Sequence, residues 1–183
     1  THDVVVRHVR FRRGPGILGE CCGDTVAIGG GSRVILDHTS ISWSTDELFD
    51  AWPGTDVTIQ DSILADGLTF STHIEDGELT NHSFAAIVGD TSDRVSFIRN
   101  VITQVRGRAP YFAPTGGGAF ELVNTIVHNT CYSSELSSRG PRANFNAIGN
   151  LIIPGDDTCG GGRHNIILTG DVRVYVEDNL PPY

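Results

Sequence analysis

A polar residue recurs at the same place in seven short β-forming segments, and this repeat limits the possible folds more than any other feature of the chain. Each segment places β-forming residues on both sides of a polar pair. An internal repeat of this kind is typical of proteins built from stacked structural units. The aligned polar residues are His8, His38, Asp61, Asn100, Asn124, Asn150 and Asn179.

The spacing of these residues predicts an all-β fold, a parallel β-helix with a ladder of polar side chains. Successive members are 23 to 39 residues apart, and most of the steps suit one coil of a solenoid. Asn tolerates a bent backbone, and its amide can bond the coils above and below. We therefore expect Asn100, Asn124 and Asn150 to be buried, with their amides hydrogen-bonded to adjacent coils.

Shorter β-forming segments lie between the repeats, and we expect them to supply a second face of each coil. They are Thr25–Ile28, Phe84–Val88 and Asn165–Leu168. The longest step contains a polar insertion, Gly67–Asn81, which we expect to protrude as a loop. Loops that project from a rigid scaffold often carry binding residues.

An antiparallel sandwich is the alternative fold, because it also has short strands and many glycines. Its strands would be joined by tight hairpins at close spacing. The clearest hairpin signals, Asp66-Gly67 and Asp76-Gly77, both lie inside the insertion. This arrangement favours the solenoid.

Length and charge narrow the classes of function. The 183 residues suit a single domain, residues 1–183, with a real core. A net charge of −9 without a basic cluster argues against nucleic acid or an anionic membrane as partner. No apolar stretch is long enough for a transmembrane helix. All 13 basic residues are arginine, so the chain offers no lysine cation.

The beginning of the chain leads almost directly into the first repeat segment. The first coil of a β-helix is normally covered, because an open coil exposes unpaired backbone groups. We expect either that an N-terminal capping segment is missing from this sequence, or that a second copy covers the end by an end-to-end contact.

Four cysteines, Cys21, Cys22, Cys131 and Cys159, fit an oxidising compartment and therefore a secreted protein. Cys131 and Cys159 follow equivalent segments of consecutive coils, and the coil spacing suits the Cα separation of a disulfide. We predict a Cys131–Cys159 bridge and leave the partners of Cys21 and Cys22 open. Buried free thiols are the alternative.

Several segments in order along the chain resemble one known family. They are RVILDHTSISWSTDELFDAWPGTDVTIQDSIL at 33–64, HSFAAIVGD at 82–90, RVSFIRNVITQVRGRAP at 94–110 and FELVNTIVHN at 120–129. Together they resemble the pectate lyase superfamily of right-handed parallel β-helices, over about residues 3–130. The resemblance implies calcium-assisted β-elimination on an acidic polysaccharide, a uronate polymer.

Three acidic residues match the calcium ligands of that family: Asp24, Asp46 and Asp50. Stacked coils are about 4.8 Å apart. Carboxylates from neighbouring coils can therefore converge on one Ca²⁺, which prefers oxygen ligands. The alternative is that these acids only solvate a turn-rich face.

Arg108 matches the Arg-x-Pro motif of the family, and the resemblance implies that it takes the C5 proton of the uronate. A guanidinium group is normally protonated. Stabilisation of the enolate by Arg108 is therefore the other possible role, with another group accepting the proton. Arg106 is expected to assist or to bind a substrate carboxylate. A purely structural pairing of Arg108 with an acid is the alternative.

Two positions depart from the family pattern. Ala113 stands where the motif has a second arginine, and Phe84 stands where a lysine grips the substrate carboxylate. We expect His73 and His82 to compensate in part as substrate-binding residues.

Two classes of function therefore stay open. The first is a secreted, calcium-dependent polysaccharide lyase that acts on a pectate-like polymer. The second is a non-catalytic β-helix, either carbohydrate-binding or a structural subunit that stacks end to end.

Overall fold

Short β-strands make up all the regular secondary structure that the computed structural model of the chain describes, which covers residues 1–16, 23–71, 73–131, 134–158 and 166–180. Within these residues, no helix has the length and apolar character needed to cross a membrane.

The strands follow one another in groups of three, each group forming one coil, with an extra hairpin in the third coil and a single strand at the end. They are β1 (His2–Arg7), β2 (Arg10–Arg12), β3 (Val26–Ile28), β4 (Gly31–Asp37), β5 (Ser40–Ser42), β6 (Glu47–Ala51), β7 (Gly54–Gln60), β8 (Ile63–Ala65), β9 (Ile74–Glu75), β10 (Glu78–Leu79), β11 (Phe84–Asp90), β12 (Asp93–Ile98), β13 (Val101–Val105), β14 (Tyr111–Pro114), β15 (Gly118–Val123), β16 (Ile126–Thr130), β17 (Glu135–Ser137), β18 (Ala143–Ile148), β19 (Leu151–Ile153), β20 (Ile167–Thr169) and β21 (Val172–Glu177).

Three parallel sheets run along the molecule. The first has seven strands in the order β1-β4-β7-β12-β15-β18-β21. The second has the order β2-β5-β8-β13-β16-β19, and the third has the order β3-β6-β11-β14-β17-β20. Within these three sheets, each strand other than those at the two ends pairs with its counterparts one coil before and one coil after. The fold is the predicted right-handed parallel β-helix, and the sandwich alternative is wrong.

Apolar side chains stack in columns through the interior of the coils. In the first sheet Val34, Val57, Val95, Phe120 and Phe145 occupy successive positions of one column. All five are buried. Burying side chains of this size contributes roughly 1.5–3 kcal/mol each relative to exposure. The alternation of apolar and polar residues within each strand therefore fixes which face points inward.

Inward-pointing polar side chains link the coils at the turn between the first and second strands. The backbone amide of Ser62 donates to Asn100 Oδ1 at 3.0 Å. Asn100 Nδ2 in turn donates to the carbonyl of Ile59 at 2.9 Å. Similar bonds continue from coil to coil. The ladder members are Thr39, Ser62, Asn100, Thr125, Asn150 and Asn179.

The residue before each ladder position has a left-handed backbone, with φ between 49° and 65°. Asn, Asp and Gly adopt this conformation most readily. These residues are His38, Asp61, Arg99, Asn124, Gly149 and Asp178, and His8 has the same backbone conformation at the matching turn of the first coil, before Val9.

The predicted ladder was therefore a mixture of two adjacent columns. Asn100, Asn150 and Asn179 point inward as expected. The burial predicted for Asn124 was wrong, because Asn124 is exposed and Thr125 takes the inward place. Both turn positions are mostly polar, one for its backbone conformation and the other for its side-chain hydrogen bonds, so alignment on polarity alone cannot separate them.

The segments expected to form a further face are strands of the third sheet. β3, β11 and β20 cover these segments apart from Thr25 and Ile166, which lie just before β3 and β20, and Asn165, which lies outside the described residues. The predicted insertion contains the antiparallel hairpin β9–β10. Asp76 and Gly77 form its turn with φ values of 53° and 86°, which is why an Asp-Gly pair occurs there.

The stability of the ladder gives a direct test. Replacement Asn100→Leu leaves the amide of Ser62 and the carbonyl of Ile59 without their partners. Each unsatisfied buried group costs about 1–3 kcal/mol. Urea unfolding should therefore show that the free energy of unfolding falls by at least this amount. The control Asn124→Gly suits the left-handed backbone and should change stability by less than about 0.5 kcal/mol. Equal stabilities of the two variants would contradict the ladder.

The disulfide prediction concerns Cys131, which is buried. Its predicted partner Cys159, and also Cys21 and Cys22, lie outside the described residues. The Cys131–Cys159 bridge therefore stays a prediction. Peptide mapping without reduction should recover the two cysteines in one linked peptide, because they follow equivalent strands of consecutive coils. Recovery of Cys131 linked elsewhere, or as a thiol, would contradict it.

Candidate functional site

Acidic side chains from two neighbouring coils meet at the start of the third sheet. Asp24 lies just before β3, and Asp46 and Glu47 lie where β6 begins. The carboxylate oxygens of these three residues are within 4.8 Å of one another. The backbone amide of Glu47 donates to Asp24 Oδ1 at 3.0 Å, which ties the two coils together at this point.

Glu47 is the member of this group that the sequence analysis missed. The sequence analysis named only Asp24, Asp46 and Asp50, and strand alternation by itself would place the neighbours Asp46 and Glu47 on opposite faces. In the structure its side chain is only 5% exposed, yet its carboxylate still reaches the acidic group. The available signal was the run of acids in TDELFD, in which Glu47 directly follows Asp46.

Asp50 lies in β6, in register with Ala27 of the previous coil and Ile87 of the next. It is not one of the three residues whose oxygens lie within 4.8 Å of one another. It still senses the other acids. Burial, followed by the charges of Asp24 and Asp46, raises the pKa of Asp50 to about 6. We call these four residues, Asp24, Asp46, Glu47 and Asp50, the acidic cluster.

The pKa values of Glu47 and Asp46 show the effect of crowding negative charges at the centre of the acidic cluster. Burial and the adjacent Asp46 raise the pKa of Glu47 to about 9, although Arg108 opposes this shift. Burial acts in the same direction on Asp46, but the His82 ring and a hydrogen bond with Glu47 outweigh it and lower the pKa of Asp46 to about 2. At neutral pH the two carboxyl groups therefore hold one proton between them.

Arg108 reaches this cluster from two coils away. It lies just before β14, and its Nη1 donates to Glu47 Oε1. The guanidinium carbon is 4.2 Å from the centre of the Phe84 ring, so Phe84 supports the arginine from the coil between. The pairing of Arg108 with an acid, foreseen as a structural alternative, is therefore present. The side chain nevertheless stays 31% exposed, so the arginine also faces solvent.

The two histidines expected to bind substrate lie beside Asp46. His82 Nε2 is 2.8 Å from Asp46 Oδ1. The rings of His73 and His82 stack face to face, with centres 3.7 Å apart and planes 7° apart. Both residues are buried. Burial and the neighbouring His82 lower the pKa of His73, which favours its neutral form.

Arg106 and Ala113 complete the set of positions singled out by the sequence. Arg106 follows β13, is half-buried, and donates its backbone amide to the Ser83 carbonyl at 3.0 Å. Ala113 is completely buried in β14. Position 113 therefore presents no cation to solvent. Phe84, at the other position that departs from the family pattern, packs against Arg108.

Comparison with known proteins finds fungal relatives. A probable pectate lyase C from Aspergillus flavus is 33% identical over 159 residues, which is 85% of this chain and 34% of that protein. One from Aspergillus terreus is 32% identical over 161 residues, again 85% of this chain and 34% of that protein. One from Emericella nidulans is 34% identical over 128 residues, 69% of this chain and 26% of that protein. No protein-family model matches the chain.

The fold and these similarities agree. The chain spans about a third of the length of most of the curated relatives it matches. The strands form a right-handed parallel β-helix, and the similarity to the relatives extends over most of this chain. The resemblance to the pectate lyase superfamily is thus confirmed, and this chain is a β-helix of that superfamily.

Repulsion between carboxylates in the acidic cluster predicts that the thermal stability of the metal-free protein depends on pH. The pKa of Asp50 is raised from 3.8 to about 6, so the folded state holds this proton more tightly than the unfolded state. The contribution of Asp50 to stability is therefore lost as pH rises through this window. In EDTA, Asp50→Asn should melt at a progressively higher temperature than the parent between about pH 4 and pH 6.

A matched control separates this effect from a general loss of acidic charge. Asp156 is exposed on the loop after β19, so Asp156→Asn removes one carboxylate outside the acidic cluster. Its melting temperature should follow that of the parent across the same pH range. If Asp50→Asn follows the parent as well, Asp50 does not sense the charges of the acidic cluster.

Proposed function

We propose that this chain carries the active site of a secreted, calcium-dependent polysaccharide lyase that cleaves a pectate-like uronate polymer by β-elimination. The main observation in support is the position of Arg108, a solvent-facing cation held against the acidic cluster by Glu47. The names of the relatives, probable pectate lyase C, support the same activity. Action on an extracellular polymer requires secretion, which belongs to this proposal.

The acidic cluster fits a hard divalent cation. Its donors are carboxylate oxygens, the ligands that Ca²⁺ prefers. Mutual repulsion contributes to the raised pKa values of Asp50 and Glu47, and a bound cation relieves such repulsion. We assign Asp24, Asp46 and Asp50 as calcium ligands, with Glu47 beside them. When bound, the ion supplies attraction for the uronate carboxylate and acidifies the neighbouring C5 proton.

Arg108 is proposed to act on the charge that develops during elimination. The C5 proton leaves to solvent, the C4–O bond breaks, a C4–C5 double bond forms, and the departing oxygen takes a proton from solvent. A guanidinium group donates hydrogen bonds and has no acceptor atom to receive a proton. We therefore assign Arg108 the stabilisation of negative charge on the enolate rather than the removal of the proton.

We assign substrate binding beside Arg108 to Arg106, because both residues lie in the connection between β13 and β14. A guanidinium group is suited to bind a carboxylate with two parallel hydrogen bonds. His73 and His82 are proposed to act mainly through Asp46 rather than on the polymer, because both rings are buried.

A carbohydrate-binding β-helix without catalytic activity is the second candidate. The observations that favour it are the buried Ala113 and the apolar Phe84, at two positions where a cation was expected. In this case the acidic cluster and Arg108 form a binding surface only.

An ultraviolet assay of the unsaturated product on polygalacturonate distinguishes the two candidates. The parent should form product only with Ca²⁺ present. Arg108→Lys should lose at least about 100-fold in turnover, the usual cost of removing one transition-state donor, with calcium affinity unchanged. Asp46→Asn should weaken calcium binding, with activity partly restored by excess metal, because one charged ligand of several is removed.

The control for Arg108 is Arg99, which forms a comparable pair with Asp61 at 2.7 Å on another face of the solenoid. Arg99→Lys should retain the activity of the parent. A parent that binds polygalacturonate in affinity electrophoresis but forms no product would support the carbohydrate-binding candidate. If the parent neither binds nor cleaves any uronate polymer, both candidate functions are excluded.

A further inference from the structure

Two histidines and one carboxylate form a separate group beside the acidic cluster. Ligand atoms of Asp46, His73 and His82 lie within 4.8 Å of one another. The hairpin insertion supplies His73, which lies just before β9, and His82 directly follows the insertion, between β10 and β11. The backbone bond from Thr80 N to the His73 carbonyl, at 3.0 Å, closes the hairpin between them.

Both rings present a buried nitrogen without a hydrogen-bond partner. These atoms are His73 Nδ1 and His82 Nε2. The two residues are only 4% and 9% exposed. A buried polar atom without a partner carries a free-energy cost, and a bound ion is one way to remove it. His82 Nε2 lies 2.8 Å from Asp46 Oδ1, with which it forms an ion pair when the ring is protonated. His73 Nδ1 is therefore the nitrogen for which a bound ion would remove this cost.

The surroundings of His73 fix which nitrogen is free to bind. Its ring also hydrogen-bonds the backbone of Thr45. Nδ1 is the buried ring nitrogen of His73 without a hydrogen-bond partner, so it is the atom that we assign to the metal. Histidine ligands of metals typically donate their other ring N–H to a backbone carbonyl in this way.

From this geometry we propose that Asp46, His73 and His82 bind a divalent transition-metal ion of the zinc class. Two imidazoles and one carboxylate suit Zn²⁺ and its neighbours far better than Ca²⁺ or Mg²⁺. Zinc ligands lie about 2.0–2.2 Å from the ion, so small side-chain rotations bring the three atoms into range. Three protein ligands leave a coordination position for water or for a carboxylate.

A second histidine–carboxylate group in the described residues shows what distinguishes this site. Ligand atoms of Asp37, His38 and Asp61 also lie within 4.8 Å of one another. Both of these acids already pair with arginines, Asp37 with Arg7 at 2.6 Å and Asp61 with Arg99 at 2.7 Å. The His38 side chain is 51% exposed. This group therefore has neither unpartnered buried nitrogens nor free carboxylates, and it serves as the matched control.

The zinc-class site shares Asp46 with the acidic cluster but does not depend on lyase activity. Its ligands other than Asp46 are nitrogens, whereas those assigned to calcium are oxygens. Variants can therefore separate the two ions. His73→Gln removes a ligand of the first site only, Asp24→Asn removes a ligand of the acidic cluster only, and Asp46→Asn affects both.

Isothermal titration of the untagged chain with Zn²⁺, in saturating Ca²⁺ and without substrate, tests the proposal. The parent should bind one Zn²⁺ tightly. His73→Gln and His82→Gln should each weaken this binding by more than about 100-fold, since loss of outer-shell partners alone costs 10–100-fold. His38→Gln should bind Zn²⁺ as the parent does.

Folding and ligand identity are checked independently. Zn²⁺ should raise the melting temperature of the parent but not that of His73→Gln, and the two proteins should show the same circular dichroism without metal. Anomalous diffraction at the zinc edge should place the ion between Asp46 and the two rings. The proposal is overturned if the parent does not bind Zn²⁺, if His73→Gln and His82→Gln bind it as tightly as the parent, or if His38→Gln alone removes binding.

Discussion

The stacking of hydrogen bonds at one turn of each coil is the interaction on which the rest of the structure depends. At this turn the backbone changes direction through a left-handed residue, and the next residue points its polar side chain inward. The side chain satisfies backbone groups that the bend leaves without a strand partner. Because each amide bonds the next coil, the register of one coil sets that of its neighbour.

Register is what brings the candidate site together. Arg108 and Glu47 are 61 positions apart in sequence, yet two coils of parallel stacking place them in contact. Asp24 and Glu47 meet for the same reason, one coil apart. A solenoid therefore allows like charges to accumulate on one face, because the long strand ladders hold the backbone in place while carboxylates repel. Arg108 and His82 offset part of that repulsion.

The face divides into two kinds of donor. Carboxylates dominate where β3 and β6 begin, and these suit a hard cation. Among the described residues, the imidazoles beside Asp46 come from the insertion, which contains His73, and from His82 directly after it. Asp46 belongs to both sets, so the charge of one bound ion must influence the affinity for the other. The insertion thus adds nitrogen ligands that the three regular strands of the coil do not supply.

The sequence alone determined the architecture and the general location of the site. Its repeat of β-formers around a polar pair favoured stacked coils over a sandwich, and the positions of Asp24, Asp46 and Arg108 indicated one face. It did not determine which of two adjacent polar residues enters the ladder. Asn124 occupies the position of the turn that has a left-handed backbone, whereas Asn100 occupies the next position, which points its amide inward. Asparagine suits both positions. Only the packed coil distinguishes the two.

Long-range contacts decided the rest. Strand alternation predicts an inward Glu47, but the tertiary structure turns its carboxylate toward Asp24 and supplies Arg108 as a partner. Likewise, nothing in the spacing of His73 and His82 predicts that their rings stack beside Asp46. Local sequence fixes the period and the burial pattern of each strand, because these depend on neighbouring residues. Contacts between coils depend on where the insertion folds and on which charges remain unpaired, and only the assembled solenoid determines both.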